Sequence, residues 1–191
     1  MSEDFSKVCA VATVQVLLTL GAGCGPGLPE YSGPLCEKAA SGDWSPAAMR
    51  GELIVTTPGL EGWGDYLRQH TYAVHGSCGQ MKPGVVAHTY SGRSGYRTDV
   101  FELFYDRDVV SRAGFLIHEV GHAAGLPGHI GEQDLNWEHG GAYRLQLEFL
   151  AAVYYARGLS EAHREAARAE FTWIMRNKFV EASDLTLQDF E

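Results

Sequence analysis

The sequence predicts an α+β fold, with a small mixed sheet from the N-terminal half packed against helices from the C-terminal half. Three observations point there. Stretches rich in β-branched and aromatic residues come first, and the periodicity turns helical from about Val109 onward. Gly, Pro, Ser and Asp separate the strand-like stretches, whereas glycines follow the first two helical ones. The chain has 191 residues, 45% of them hydrophobic and 11% aromatic, which suits one domain with a real core.

Taken in order, Val8 to Leu20 is an uncharged apolar run followed by Gly21-Ala22-Gly23-Cys24. The run is short for a bilayer span and suits a secretory signal, residues 1–23. The small residues before Cys24 resemble a bacterial lipobox, which implies lipid on Cys24 and an exported, outer-membrane, periplasmic or cell-surface protein. Loss of Cys9 and acylation of Cys24 leave Cys36 and Cys78, which in an oxidising compartment suggest one disulfide. Residues 24–34 are Gly/Pro-rich and read as a tether, with the folded domain at 35–191. Ser45-Pro46 opens a short helix to about Arg50. Strands are expected at Glu52–Thr57, Thr71–His75, Val85–Tyr90 and Val100–Tyr105. Helices are expected at about 110–124, 141–157 and 160–179, with Gly125 and Gly158 as C-terminal stops. Tyr154, Tyr155, Phe171, Trp173 and Phe179 fit core packing at helical spacing.

Twenty-four acidic against fifteen basic residues give a net charge of -9, with the bases scattered. That excludes the basic footprint of a nucleic-acid binder, so no nucleic-acid partner is expected.

The informative segment is FLIHEVGHAAGLPGH, residues 115–129. On a helix His118 and His122 are i and i+4, about 40° apart at about 100° per residue, so both imidazoles can reach one Zn²⁺. Glu119 is displaced around the helix, placed to act on a metal-activated water rather than to bind the metal. Leu116, Ile117, Val120, Ala123 and Ala124 form the apolar face. Four of the eight histidines, 118, 122, 129 and 139, fall within 22 residues.

The segment resembles the active-site helix of the zincin metallopeptidases. That resemblance implies His118 and His122 as zinc ligands, Glu119 as general base, and a peptide or protein substrate. The continuation is similar to the metzincin branch, whose pattern is HExxHxxGxxH; here Gly125 matches and the last histidine is His129, one residue later. For the third ligand, His129 is favoured because Gly125 can turn the chain sharply and Leu126-Pro127-Gly128 can return the next side chain. Glu148 is the rival, as in a His₂Glu site, although an i,i+4 pair with Arg144 would also explain it. Asp134, Glu138 and His139 are further candidates for the same position. Tyr143, after Gly140-Gly141, can donate to a developing oxyanion. His70, His75 and His88 receive no role. The sequence is also compatible with two other functions: a catalytically silent zinc-holding lipoprotein, and a disulfide-stapled surface lipoprotein without metal.

Overall fold

The computed structural model describes residues 30–32, 52–70, 73–79, 83–92, 95–181 and 184–191. The expected signal segment 1–23, Cys24, the helix from Ser45 to Arg50, and Cys36 lie outside the described residues. In chain order the elements are β1 (Glu30–Ser32), α1 (Glu52–Val55), α2 (Glu61–His70), β2 (Ala73–Gly76), β3 (Ala87–Gly92) and β4 (Gly95–Val100). They continue with α3 (Glu102–Tyr105), α4 (Val109–Ala123), α5 (Ala142–Tyr155), α6 (Glu161–Asn177) and a final 3₁₀ turn, Leu187–Phe190. The fold is α+β.

The strand order is β1-β2-β4-β3. β1 pairs parallel with β2 and β2 with β4, while β3 runs antiparallel to β4, so the sheet is mixed. β3 is therefore an edge strand, and α4 packs across it. α4 is the central helix, with the sheet on one side and α5 and α6 on others. Asp108 starts it, its carboxylate accepting from the Val110 and Ser111 amides at 2.8 and 3.0 Å, a cap worth about 1 kcal/mol. Ile117, Val120, Phe104, Phe149, Leu147, Leu150 and Ile174 join in one core. Gly114 allows the close crossing of α4 and α5, since a Cβ there would stand 3.2 Å from Gln146 Nε2.

Several expected elements are corrected. Glu52–Thr57, expected as a strand, forms the one-turn helix α1; Ile54 and Val55 are buried all the same. The apolar part, Leu53-Ile54-Val55, is too short to have a period of its own, so burial decides its conformation. Val100–Tyr105 is strand only through Val100 and then turns into α3. Its buried residues, Val100, Phe101, Phe104 and Tyr105, are spaced as on a helix rather than alternating. The helix α2 carries no expectation in the sequence because Gly62 and Gly64 dilute its helical signal, yet Gly64 and Leu67 are buried on it. β1 lies inside the 24–34 stretch expected as a tether and pairs with β2. The strands expected at Thr71–His75 and Val85–Tyr90 are β2 and β3, each displaced toward the C-terminus.

The three long helices fall where the periodicity puts them, within two residues at each end. Gly125 does end α4 in the left-handed region, at φ 88°. Gly158 has no positive φ; it is small because a Cβ there would meet Thr57 Cγ2 at 2.9 Å. Ala124, expected on the apolar face, is exposed just past the end of α4. Trp173 is not core either, being 50% exposed, whereas Phe171 and Phe179 are buried. Tyr154 and Tyr155 pack edge to face, and the Tyr155 hydroxyl donates to the Leu187 carbonyl at 2.9 Å. Cys78 is exposed, and its expected partner Cys36 is outside the described residues. Among the described residues no helix is long and apolar enough to cross a membrane.

Candidate metal centre

His118 and His122 stand one turn apart on α4, and the turn after Gly125 brings His129 back to meet them. His129 Nε2 lies 3.1 Å from His118 Nε2 and 3.1 Å from His122 Nε2. Imidazoles bound tetrahedrally to zinc at about 2.0–2.1 Å place their nitrogens about 3.3 Å apart, so this spacing fits a first-row metal ion. These are the three residues that can together hold a metal among the described ones. The extra residue relative to the metzincin spacing is absorbed in Leu126-Pro127-Gly128 without losing the convergence.

The orientation of His129 comes from Asp134. This carboxylate has no solvent exposure; its Oδ1 lies 2.7 Å from His129 Nδ1, and its Oδ2 accepts from the Tyr143 amide at 2.9 Å. A carboxylate at Nδ1 places the imidazole proton there and leaves the Nε2 lone pair for a metal. Asp134 also sits at the first turn of α5, where the helix dipole favours negative charge. Gly141 makes room for it: a Cβ at 141 would lie 2.2 Å from Asp134 Oδ2. The backbone of Asp134 is stitched to the segment after α6, its N–H donating to the Lys178 carbonyl and its carbonyl accepting from Val180 N–H. Asp134, a candidate ligand by sequence, is thus a partner of the His129 ring.

Glu148, Glu138 and His139 stand apart from the triad. Glu148 accepts from Arg144 Nε at 2.9 Å, the i,i+4 pair that its spacing suggests. Glu138 and His139 are exposed, with the His139 amide donating to Asn136 Oδ1.

Burial shapes the charges. Desolvation, together with the neighbouring imidazoles, pushes His118 well below the usual histidine range and His122 down to about 4, which keeps both rings neutral and ready to ligate. Desolvation raises Glu119 to about 7, with hydrogen bonding from Thr89 of β3 opposing it. Glu119 is buried beside the triad and lines the same cleft as all three histidines. Tyr143 packs its ring 4.4 Å from His118 and 4.9 Å from His129, measured between centroids. Burial first and the charge of Asp134 second raise its hydroxyl far above the usual range, so it is a neutral donor.

The cleft has a volume of about 680 Å³. Val85, Val86, Ala87 and His88, on and just before β3, form one wall, and Ser111 and Phe115 of α4 with Ala166, Glu170 and Trp173 of α6 form another. Four residues here have roles that the sequence does not reveal. Asp134 supports His129 instead of joining the cluster, and His88 lines the cleft although a lone strand histidine carries no signal. Gln146 is fully buried beside His118 and pulls its pKa back up, although its amide and His118 Nδ1 stop short of a well-formed hydrogen bond. Lys178 lies against Tyr143. Of these, only Gln146 has a local signal, its i,i+3 spacing from Tyr143, because α5 presents both to α4.

No protein-family model, curated protein or solved structure matches this chain. What is established is a mixed α+β fold in which three histidines, two of them on one helix, form a cluster able to hold a metal ion.

Proposed function

We propose that the chain is a zinc-dependent metallopeptidase of the zincin type, and that the ion is Zn²⁺ held by His118, His122 and His129. The observation that carries the reading is the convergence of three Nε2 atoms beside the Glu119 carboxylate at an open cleft. When bound, zinc supplies a Lewis acid that acidifies water and polarises a carbonyl. The Glu119 carboxylate takes a proton from the attacking water and returns it to the leaving amine. The Tyr143 hydroxyl donates toward the developing oxyanion. Asp134 keeps the His129 proton on Nδ1. Among the described residues β3 is an edge strand, and its Ala87 and His88 line the cleft, which supports an extended peptide lying along it with backbone hydrogen bonds. Export and lipidation of Cys24 remain part of the proposal, resting on the N-terminal sequence alone.

The test combines metal analysis with cleavage by the full chain. The protein is expected to carry about one equivalent of zinc and to generate new termini in a mixed peptide digest, read by mass spectrometry. Glu119→Gln should keep the zinc and lose the cleavage, because it removes the base and spares the ligands. Zinc without any cleavage by the wild type would make it a zinc-holding binding protein, and a protein that binds no metal would overturn the reading.

A further inference from the structure

Lys178 follows α6 directly and is half-buried. Its Nζ lies 5.4 Å from the centroid of the Tyr143 ring and 5.5 Å from that of Trp173. Tyr143 is the residue packed against His118 and His129, so the ammonium stands one aromatic ring away from the metal ligands. Its backbone is tied in as well, since its carbonyl accepts from the amide of Asp134. The side chain lines the cleft together with the triad. Glu132 and Glu170 line that cleft too, yet no carboxylate of the described residues forms an ion pair with Lys178. Aromatic faces attract a cation but give its three N–H groups no oxygen acceptor. The chain as a whole carries -9, so its general field repels acidic ligands and recognition of an anion has to be local.

We infer that Lys178 is a carboxylate-recognising residue of the cleft, selecting peptides that place a carboxylate beside the metal centre. The inference rests on the metallopeptidase reading for the nature of the ligand. The carboxylate is either the free C-terminus of the peptide, which makes the enzyme a carboxypeptidase, or an Asp or Glu side chain next to the scissile bond. Both offer the same oxygen pair to an ammonium, a charge-assisted contact that the two rings hold in place.

The two sources separate in a binding experiment that needs no turnover. Full-length Glu119→Gln protein, loaded with zinc and immobilised, is exposed to a pool of random acetylated hexapeptides with free C-termini and to the same pool amidated. Retained peptides are counted by mass spectrometry. The free-acid pool should be retained about ten- to a hundredfold better, the range of a hydrogen bond to a charged group. If instead the side chain is the source, the amidated pool should be enriched to that degree in members carrying Asp or Glu. Either preference should vanish on adding Lys178→Met, which keeps the aliphatic length against Trp173 and Tyr143, and return on adding Lys178→Arg. Absence of both preferences, or a preference that survives Lys178→Met in a protein still binding zinc, overturns the inference. If the preference holds while the wild type cleaves nothing, the carboxylate site stands and the peptidase reading falls.

Discussion

Replacing Asp134 by asparagine tests the arrangement behind the candidate metal centre, because it changes one atom and keeps the shape. In the native protein the two carboxylate oxygens face two donors, His129 Nδ1–H at 2.7 Å and the Tyr143 amide at 2.9 Å, with no solvent to substitute. Asparagine has a single oxygen. If that oxygen keeps the Tyr143 amide, the NH₂ group faces His129 and can be satisfied only when Nδ1 becomes an acceptor. The imidazole proton then moves to Nε2, the atom that faces His118 and His122, and the ligand lone pair is lost. If the oxygen keeps His129 instead, the Tyr143 amide is left buried without a partner, at about 1–3 kcal/mol. The first outcome should lower metal affinity by about ten- to a hundredfold, or about 1.4–2.7 kcal/mol, as for other partners of ligating histidines. The second should lower the urea midpoint of the metal-free protein. Competition for zinc against a chromophoric chelator reads the affinity, with Glu148→Gln as a control expected to bind normally. An Asp134→Asn protein with unchanged affinity and unchanged midpoint would refute the account of Asp134.

Two further predictions concern neighbouring glycines and pH. Gly141 has φ -73°, which any residue can adopt, so Gly141→Ala acts only through the collision of its Cβ with Asp134 and should weaken zinc binding as well as folding. Gly140, at φ 73° with open space around it, should lose about 1 kcal/mol of stability on substitution by alanine with zinc affinity unchanged; equal effects of the two variants on affinity would contradict the steric argument. In the metal-free protein, His122 has a folded pKa of about 4 against an ordinary 6.5, so between those values the unfolded chain binds more protons there and stability rises with pH. Glu119, raised from 4.5 to about 7, binds more protons in the folded state across its own window and makes stability fall as pH rises. Urea midpoints across about pH 4.5–7 should therefore climb less steeply in His122→Gln and more steeply in Glu119→Gln, and parallel profiles for all three proteins would refute the assignment.

The long helices and the pairing of His118 with His122 were legible in the chain alone, because periodicity and i,i+4 spacing are local properties. The chain also made Gly125 a turn, and with it His129 a candidate, since a left-handed position after a helix favours glycine. The chain already favoured His129 over Glu148, and the fold is what brings His129, and not Glu148, into the cluster able to hold a metal ion. That convergence depends on where the loop after α4 meets the start of α5, and Asp134 and Gly141 decide that by close packing and buried hydrogen bonds across sequence separations that carry no period. Short elements show the same limit. Glu52–Val55 becomes a turn of helix although Ile54 and Val55 favour strands, because burying those two in the core gains more than their own backbone preference. Lys178 is invisible in the sequence for the related reason that a lysine at a helix end reads as ordinary dipole compensation until the fold sets Tyr143 and Trp173 beneath it.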